Sequence, residues 1–546
     1  MKKFWLGAMA ALTVMALSGC GASKDVVAEE SPLTEVENSY ENNAQIYSGD
    51  FQKQVKEQLE EKKKEEHDFT NPLVVANPYR TDTTGLYLYF TTKEKAQIQY
   101  TVSAEGYGDF TRTLYNEGEN NLTTEHEYML IGCVPGVTNT ICLTAEDEKG
   151  KKLGSYTFTY DAPNLLNSLG SVQAVVEMGE SKEELADGLY TVLGNDSSEE
   201  SMEEDYVGIY DNAGVIRAEI PIINFRSHEM IFNEAGMYYS ISSKQIACLN
   251  RTGEVTRVYN MGDFTLHHDY DFGTKDDLII LASRVGAATK DDSIVSMNLE
   301  TGSVTEIVNL CDLFPEYLAS STKPEGAEVL DWMHLNSLAL VDGNDLIVSA
   351  RETSTIIYIE DVYDNPSVRY MIGSDNFWAG SGYKDLLLTQ KGEFCLQAGQ
   401  HSVLYVPDDS LEEGQYYLEM FNNNNTYSLA RKEYDWSADD NYYDTGIAVD
   451  SQGNPSYYYK YLVDENARTF ELVDSLPVDY SGFVSSVQHK DGNLIVDSGG
   501  ALAVAEFDQN NQLIQKLKFT GEKWIYRIKK YEYNDYWFYR VESSQS

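Results

Sequence analysis

The chain has 546 residues, with 41 Lys and Arg against 88 Asp and Glu, for a formal net charge of −47. That balance excludes nucleic acid as a partner, because nothing would neutralise phosphates, and it excludes a chain lying along an anionic membrane surface. The length allows a large core and more than one domain.

The first residues, MKKFWLGAMAALTVMALSGCGAS, place two lysines before an apolar run and small residues after it. This predicts a secretory signal over 1–19, too short and wrongly flanked for a stable transmembrane helix. Its end, Leu17-Ser18-Gly19-Cys20, matches a bacterial lipoprotein box. Cys20 is then the lipidated residue, and the expected location is the cell envelope, extracytoplasmic, with membrane contact through acyl chains alone. Residues 20–68 are polar and acidic, and QVKEQLEEKKKEEHDF reads as a charged, solvated helix or tether.

Composition changes near Thr70. GLYLYFTTKEKAQIQYTVSA alternates apolar and polar residues with the period of a strand. HEYMLIGCVPGVTNTICLTAEDEKGKKLGSYTFTYDAP then gives three strands punctuated by turns. A small β-sandwich is expected over 69–165. Beyond Cys20 the cysteines are Cys133, Cys142, Cys248, Cys311 and Cys395, scattered and without metal spacing, so they read as free thiols, with a Cys133–Cys142 pair left open.

From about 166 to the end the pattern is repetition. YDNAGVIRAEI, LNRTGEVTRVY, LETGSVTEIVNL and FDQNNQLIQKLKF are strand pairs joined by Gly- or Asn-containing turns, and further strand pairs lie between them. Together they predict four-stranded blades, counted as six when SVQAVVEMGESKEELADGLYTVLG is taken as the opening unit. The fold class is all-β: a small sandwich followed by a six-bladed propeller.

His228, His267/His268, His334 and His401 each open a blade's first strand, and Ser485 holds that place in the last. In a propeller those positions converge at one mouth of the central channel, so residues distant in sequence become neighbours. A lone histidine at a strand start is ordinarily structural; several at one repeat position, among turns that have diverged, point to a shared site. Strand alternation predicts that only one of His267 and His268 faces the channel, and that His334 shares a face with Asn336 and Trp332. A histidine metal site is the alternative, disfavoured because Asp269 is the only adjacent carboxylate.

DWMHLNSLALVDGNDLIVSARETSTIIYIE resembles the signature of bacterial arylsulfate sulfotransferases: a histidine–x–asparagine–serine strand, an acidic turn, and a strand ending in arginine. Asn77-Pro78-Tyr79, HHDYDFGTKDDLIILA and GQHSVLYV are similar to further stretches of that family. The resemblance implies transfer of a sulfuryl group from a phenolic sulfate donor to a phenolic acceptor, with no cofactor, nucleotide or metal, ping-pong through a sulfated His401. It implies His268, His334 and Arg351 as further catalytic residues, with Asn336, Ser485 and Tyr79 as substrate-binding candidates. Two stretches depart from the family pattern, Arg351-Glu352-Thr353 and Phe421-Asn422-Asn423-Asn424-Asn425. A homodimer is left open. The competing readings are a non-catalytic surface propeller that binds a glycan or protein, and a metal-dependent propeller hydrolase or lyase.

Overall fold

The structure, a computed structural model, describes residues 24–540 except 30, 168–169, 195–203, 444–453 and 522–523. The predicted signal and Cys20 lie outside the described residues.

The acidic stretch before the sandwich is not a free stalk. Lys24–Val27 pairs in parallel with Lys152–Asp161. A helix, Gly49–Lys62, starts at Ser48, whose Oγ accepts from Phe51 N at 3.3 Å. Phe51, Val55 and Leu59 recur every four residues and pack with Leu73, Val75, Tyr79 and Tyr87. The run of Lys and Glu hid a narrow apolar stripe, and one stripe suffices to dock a helix.

The sandwich is organised by one long strand, Leu86–Ala104. Its first half pairs with Leu73–Ala76 and Thr123–Leu130, and its second half with Phe110–Thr113 and Thr138–Glu146. Ala96, Ile98, Tyr100 and Val102 alternate into the core, as period-two patterning requires. Cys133, Cys142, Cys248, Cys311 and Cys395 are free thiols.

Six sheets form the propeller, antiparallel except where Thr389–Gln390 adds in parallel to the outer edge of the fifth. Their inner strands, in blade order, are Ile528–Tyr531, Met230–Asn233, Phe264–Phe272, Leu335–Val341, His401–Val406 and Ser486–Lys490. Blade 1 therefore combines Leu189–Val192, Asp205–Tyr210 and Ile216–Ile222 with a strand from the C-terminal end. The stretch read as an opening unit is split: Gln173 bridges Val215 at the edge of blade 1, Val175–Met178 pairs with Leu513–Lys518 on the outer edge of blade 6, and Leu189–Val192 is a strand of blade 1. Periodicity identifies strands but not their partners.

The sandwich sits on blades 1 and 2. Phe110, Leu130 and Ile131 share one apolar cluster with Ile209, Ile220, Met230 and Tyr239. Thr83 Oγ1 donates to Glu219 Oε2 at 2.6 Å, and Arg217 donates to the carbonyls of Gly132 and Gly108 at 3.1 and 2.9 Å.

One backbone feature recurs at the channel mouth. His268, His334, Ser402 and Ser485 all have positive φ, at 56°, 53°, 54° and 89°. Pairing register slips in the same places, between Leu266 and Tyr270, Leu335 and Ser337, and His401 and Leu404. A non-glycine residue in this region costs of order 1–3 kcal/mol and persists only where its surroundings impose it. The bend breaks two-residue alternation and re-aims the side chains at the start of the strand.

Candidate active site

Strand alternation therefore fails as a guide here. His267 and His268 do not point apart: their Nδ1 atoms are 2.9 Å from one another. His268 reaches across to blade 4, its Nε2 3.2 Å from His334 Nε2, while His267 turns back into its own blade, with Nε2 3.7 Å from Asp291 Oδ1. Trp332 does not share a face with His334. It is buried in the apolar cluster with Tyr317, Met333 and Leu335, and its indole N–H donates to Asp292 at 2.8 Å.

His334 is held by carboxylates. Its Nδ1 lies 2.7 Å from Asp331 Oδ2 and 3.3 Å from Asp291 Oδ2. Lys290 Nζ is 3.5 Å from Asp331 and 3.8 Å from Asp291. Burial pushes the Asp331 carboxyl up, but the His334 imidazole and the Arg351 charge outweigh it, so Asp331 stays ionised. His268 is pushed well below the ordinary histidine range by burial, then by the charges of His334, His267 and Arg226.

His401 opens the inner strand of blade 5, and its tautomer follows from its partners. Nδ1 faces two acceptors, Gly399 O at 3.0 Å and Asn423 Oδ1 at 2.8 Å. The Asn423 amide is oriented by its Nδ2, which donates to Ser481 O and Val484 O at 2.8 and 3.0 Å. The proton therefore sits on Nδ1, and Nε2 carries the free lone pair. Burial lowers the His401 pKa to about 3, the Asn423 hydrogen bond opposes this, and the charges of Arg351 and His334 lower it further. The ring is neutral throughout the physiological range.

Blade 4 clamps the peptide ahead of His401. Asn336 Nδ2 donates to Gln400 O at 2.8 Å, Ser349 Oγ donates to the same carbonyl at 3.1 Å, and Ser337 Oγ accepts from Val403 N at 3.0 Å. Asn336 is thus a brace between blades 4 and 5, fully buried, with Oδ1 making no hydrogen bond among the described residues. Arg351 follows the second strand of blade 4, its N–H donating to His334 O at 3.1 Å and its guanidinium to buried Glu352 at 2.7 Å.

The remaining candidates separate. Ser485 Oγ is engaged by Ser481 Oγ at 2.9 Å and Gly499 N at 3.0 Å, inside blade 6. Tyr79 is not with the histidines; it packs in the helix–sandwich cluster and lines a cleft against blade 2 with Lys56, Glu127 and Arg251. His228, in blade 2, is sealed from solvent, its Nδ1 3.1 Å from Ser240 Oγ.

Several residues of the mouth were not singled out from sequence. Asp269 does not serve the histidines: it accepts from Arg527 at 2.7 Å and from Leu338 N at 3.1 Å. Their carboxylates come instead from Asp291, in the turn after the second strand of blade 3, and Asp331, three residues before His334. Arg527 immediately precedes the closing strand, the place His228 and Ser485 hold near theirs, and donates to His228 O and Glu229 as well. Tyr526 donates to His268 O at 2.5 Å. The available signal was DWMH, a carboxylate and histidine three apart, and a charged residue ahead of the last strand. His268, Asp291 and His334 are the described residues whose ligand atoms cluster closely enough to hold a metal ion.

Channel-mouth imidazoles with a free nucleophilic nitrogen beside a guanidinium suit transfer of an anionic group. No curated protein matches the chain. Among solved structures, a putative 6-phosphogluconolactonase from Bacteroides fragilis is 10% identical with TM-score 0.35, over 79% of this chain and 97% of its own. The WD40 domain of Toxoplasma gondii coronin is 8% identical with TM-score 0.31, over 64% and 76%. Virginiamycin B lyase from Staphylococcus aureus is 10% identical with TM-score 0.31, over 63% and 87%. At such values none bears on chemistry. Two family models do match: the arylsulfotransferase Ig-like domain over residues 73–163, and Arylsulfotransferase (ASST) over residues 174–540. The chain belongs to the arylsulfotransferase family, as an enzyme with an Ig-like domain ahead of its catalytic propeller.

Proposed function

We propose that this arylsulfotransferase works without a nucleotide, in two half-reactions through a sulfated His401. The observation that carries the reading is the tautomer of His401: Nδ1–H tied to Gly399 and Asn423, Nε2 unprotonated. A neutral imidazole is a competent nucleophile near pH 7.

In the first half-reaction the Nε2 lone pair attacks the sulfur of the donor. The aryl O–S bond breaks, and the departing aryloxide takes a proton from the His268–His334 pair. Arg351 stabilises charge spread over the sulfuryl oxygens, in a site where its guanidinium is already fixed by Glu352. In the second, an acceptor phenol returns a proton to the pair while its oxygen attacks sulfur. The N–S bond breaks and His401 regains its lone pair. Asn336 acts by bracing the Gln400 peptide. Ser485 and Tyr79 have no part in this scheme. We further propose that the chain is exported and held at the outer face of a membrane by lipid on Cys20.

The test is transfer from 4-nitrophenyl sulfate to phenol, with chelator and no nucleotide, alongside His401→Ala. The expected result is acceptor-dependent release of 4-nitrophenol, and donor-only incubation that leaves one acid-labile sulfuryl group on His401. His401→Ala loses activity by roughly three orders of magnitude or more. Well-folded protein that transfers nothing across a range of donors and acceptors would favour the surface-binding propeller instead.

A further inference from the structure

Three of the buried groups at the mouth, His268, Asp291 and His334, offer ligand atoms that all lie within 4.8 Å of one another. Their tautomers give this cluster a direction. Asp331 Oδ2, 2.7 Å from His334 Nδ1, fixes the proton there and leaves the Nε2 lone pair facing His268. His268 Nδ1 and His267 Nδ1, at 2.9 Å, share one proton between two nitrogens. With that proton on His268, its Nε2 also presents a lone pair, and two lone pairs oppose each other at 3.2 Å. Something electron-poor belongs between them. In the transfer reaction it is a proton.

The spacing also suits a metal ion. With metal–nitrogen bonds of about 2.0–2.1 Å, two imidazoles bound at angles between square and tetrahedral stand about 3–3.4 Å apart. Behind each nitrogen is an orienting partner, Asp331 for His334 and His267 for His268, the arrangement that fixes ring direction in histidine metal sites. His267, which backs His268, is itself buried, with Nε2 3.7 Å from Asp291 Oδ1, so the carboxylate of the cluster is held close to both histidines of blade 3. Two imidazoles and a carboxylate suit borderline ions such as Zn²⁺ rather than Ca²⁺ or Mg²⁺, which take oxygen ligands.

We propose that His268, Asp291 and His334 form a reversible inhibitory site for a divalent transition-metal ion, which replaces the proton shared by the two imidazoles. The inference rests on the reading of that pair as the proton carrier. An ion bound there removes the acid that the leaving aryloxide needs, so turnover stops until the ion is withdrawn.

The experiment uses full-length protein stripped with chelator and dialysed. Calorimetric titration with ZnCl₂ should give one ion per chain, and CoCl₂ should develop the intense visible absorption of a four-coordinate site. His268→Gln and Asp291→Asn, each checked for fold by circular dichroism, should weaken binding tenfold or more, as loss of an orienting or ligating group does. If either fails to fold, Asp331→Asn takes its place. Zn²⁺ should abolish transfer and chelator restore it. Absence of stoichiometric binding, or binding indifferent to both substitutions, overturns the site. An active enzyme untouched by Zn²⁺ would refute the site alone; an inactive protein that still binds one ion through these residues would refute the transfer reading alone.

Discussion

Two arcs of the same channel mouth have been used differently. Blades 3, 4 and 5 present His268, His334 and His401, whose rings meet or sense one another across blades. Blades 6, 1 and 2 present Ser485, Arg527 and His228 at matching places, and there the side chains tie the ring together, with His228 Nε2 unbonded among the described residues but sealed from solvent. Ser485 bonds within its blade, and Arg527 neutralises Asp269 and Glu229 while gripping His228 O. Equivalent positions in a repeat share a location, not a role. What decides is whether the nitrogen that the side chain's partners leave free can be reached: His228 is fully sealed, whereas His268, His334 and His401 keep a sliver of exposed surface.

The contrast breaks most sharply at Arg527. Replacement by Met leaves buried Asp269 without its cation, while Glu229 keeps Lys529, and stability should fall by about 3–5 kcal/mol. Denaturant midpoints measure this; a loss under about 1 kcal/mol would mean the seam is not held by charge. On the reactive arc the largest effect after His401 itself is expected at Asn423. Asn423→Ala frees the His401 tautomer and should lower kcat by about 10²-fold or more, with a stability loss of about 1–3 kcal/mol from the unpaired Ser481 and Val484 carbonyls. Asn423→Asp keeps the acceptor and should recover part of that loss. Equal losses in both variants would argue that Asn423 serves the fold through Ser481 and Val484 instead.

Acidity sharpens the comparison further. His401 has a pKa of about 3 against an ordinary 6.5, and burial holds His228, His267 and His268 low as well. Below pH 6.5 the unfolded chain takes up protons that these folded rings refuse. Their contribution thus favours the folded state least at acid pH and stops changing above about 6.5. Urea midpoints should drop between pH 7.5 and pH 5, while the acid limb of kcat/KM lies well below 6.5. A limb near 6.5 would contradict a buried neutral nucleophile. The smallest effects are predicted for Ser485→Ala and Tyr79→Phe. Transfer rates should change less than about threefold, because one hydroxyl is engaged within blade 6 and the other belongs to the Ig-like domain, away from the histidines.

Much of this was legible in the residues. Turn-and-strand repeats read as six blades because each blade must bury two faces, and that need writes itself into every strand. His268, His334 and His401 could be grouped because a repeat position is a spatial coordinate. What escaped has physical reasons. Strand alternation assumes extended backbone, and positive φ at His268 and His334 breaks it where the side chains matter. Asp291 and Asp331 escaped because adjacency in sequence pointed to Asp269, whereas a carboxylate's partner is settled by packing between blades. The apolar stripe that docks the helix Gly49–Lys62 was hidden by charge, and the closing strand by its distance from the blade it completes. The asparagine run at 422–425, noted only as a departure from the family pattern, supplies the acceptor that sets the His401 tautomer.

The strand Ile528–Tyr531 carries one further consequence. Tyr526 and Arg527, directly ahead of it, are the residues that grip the His268 carbonyl and the Asp269 carboxylate. Every residue up to Arg527 must therefore be made before His268 and Asp269 acquire these contacts. A chain cut short before Tyr526 holds His268, His334, Arg351 and His401 yet lacks the segment that grips the first of them. The geometry of this mouth is a property of the closed ring, not of any blade taken alone.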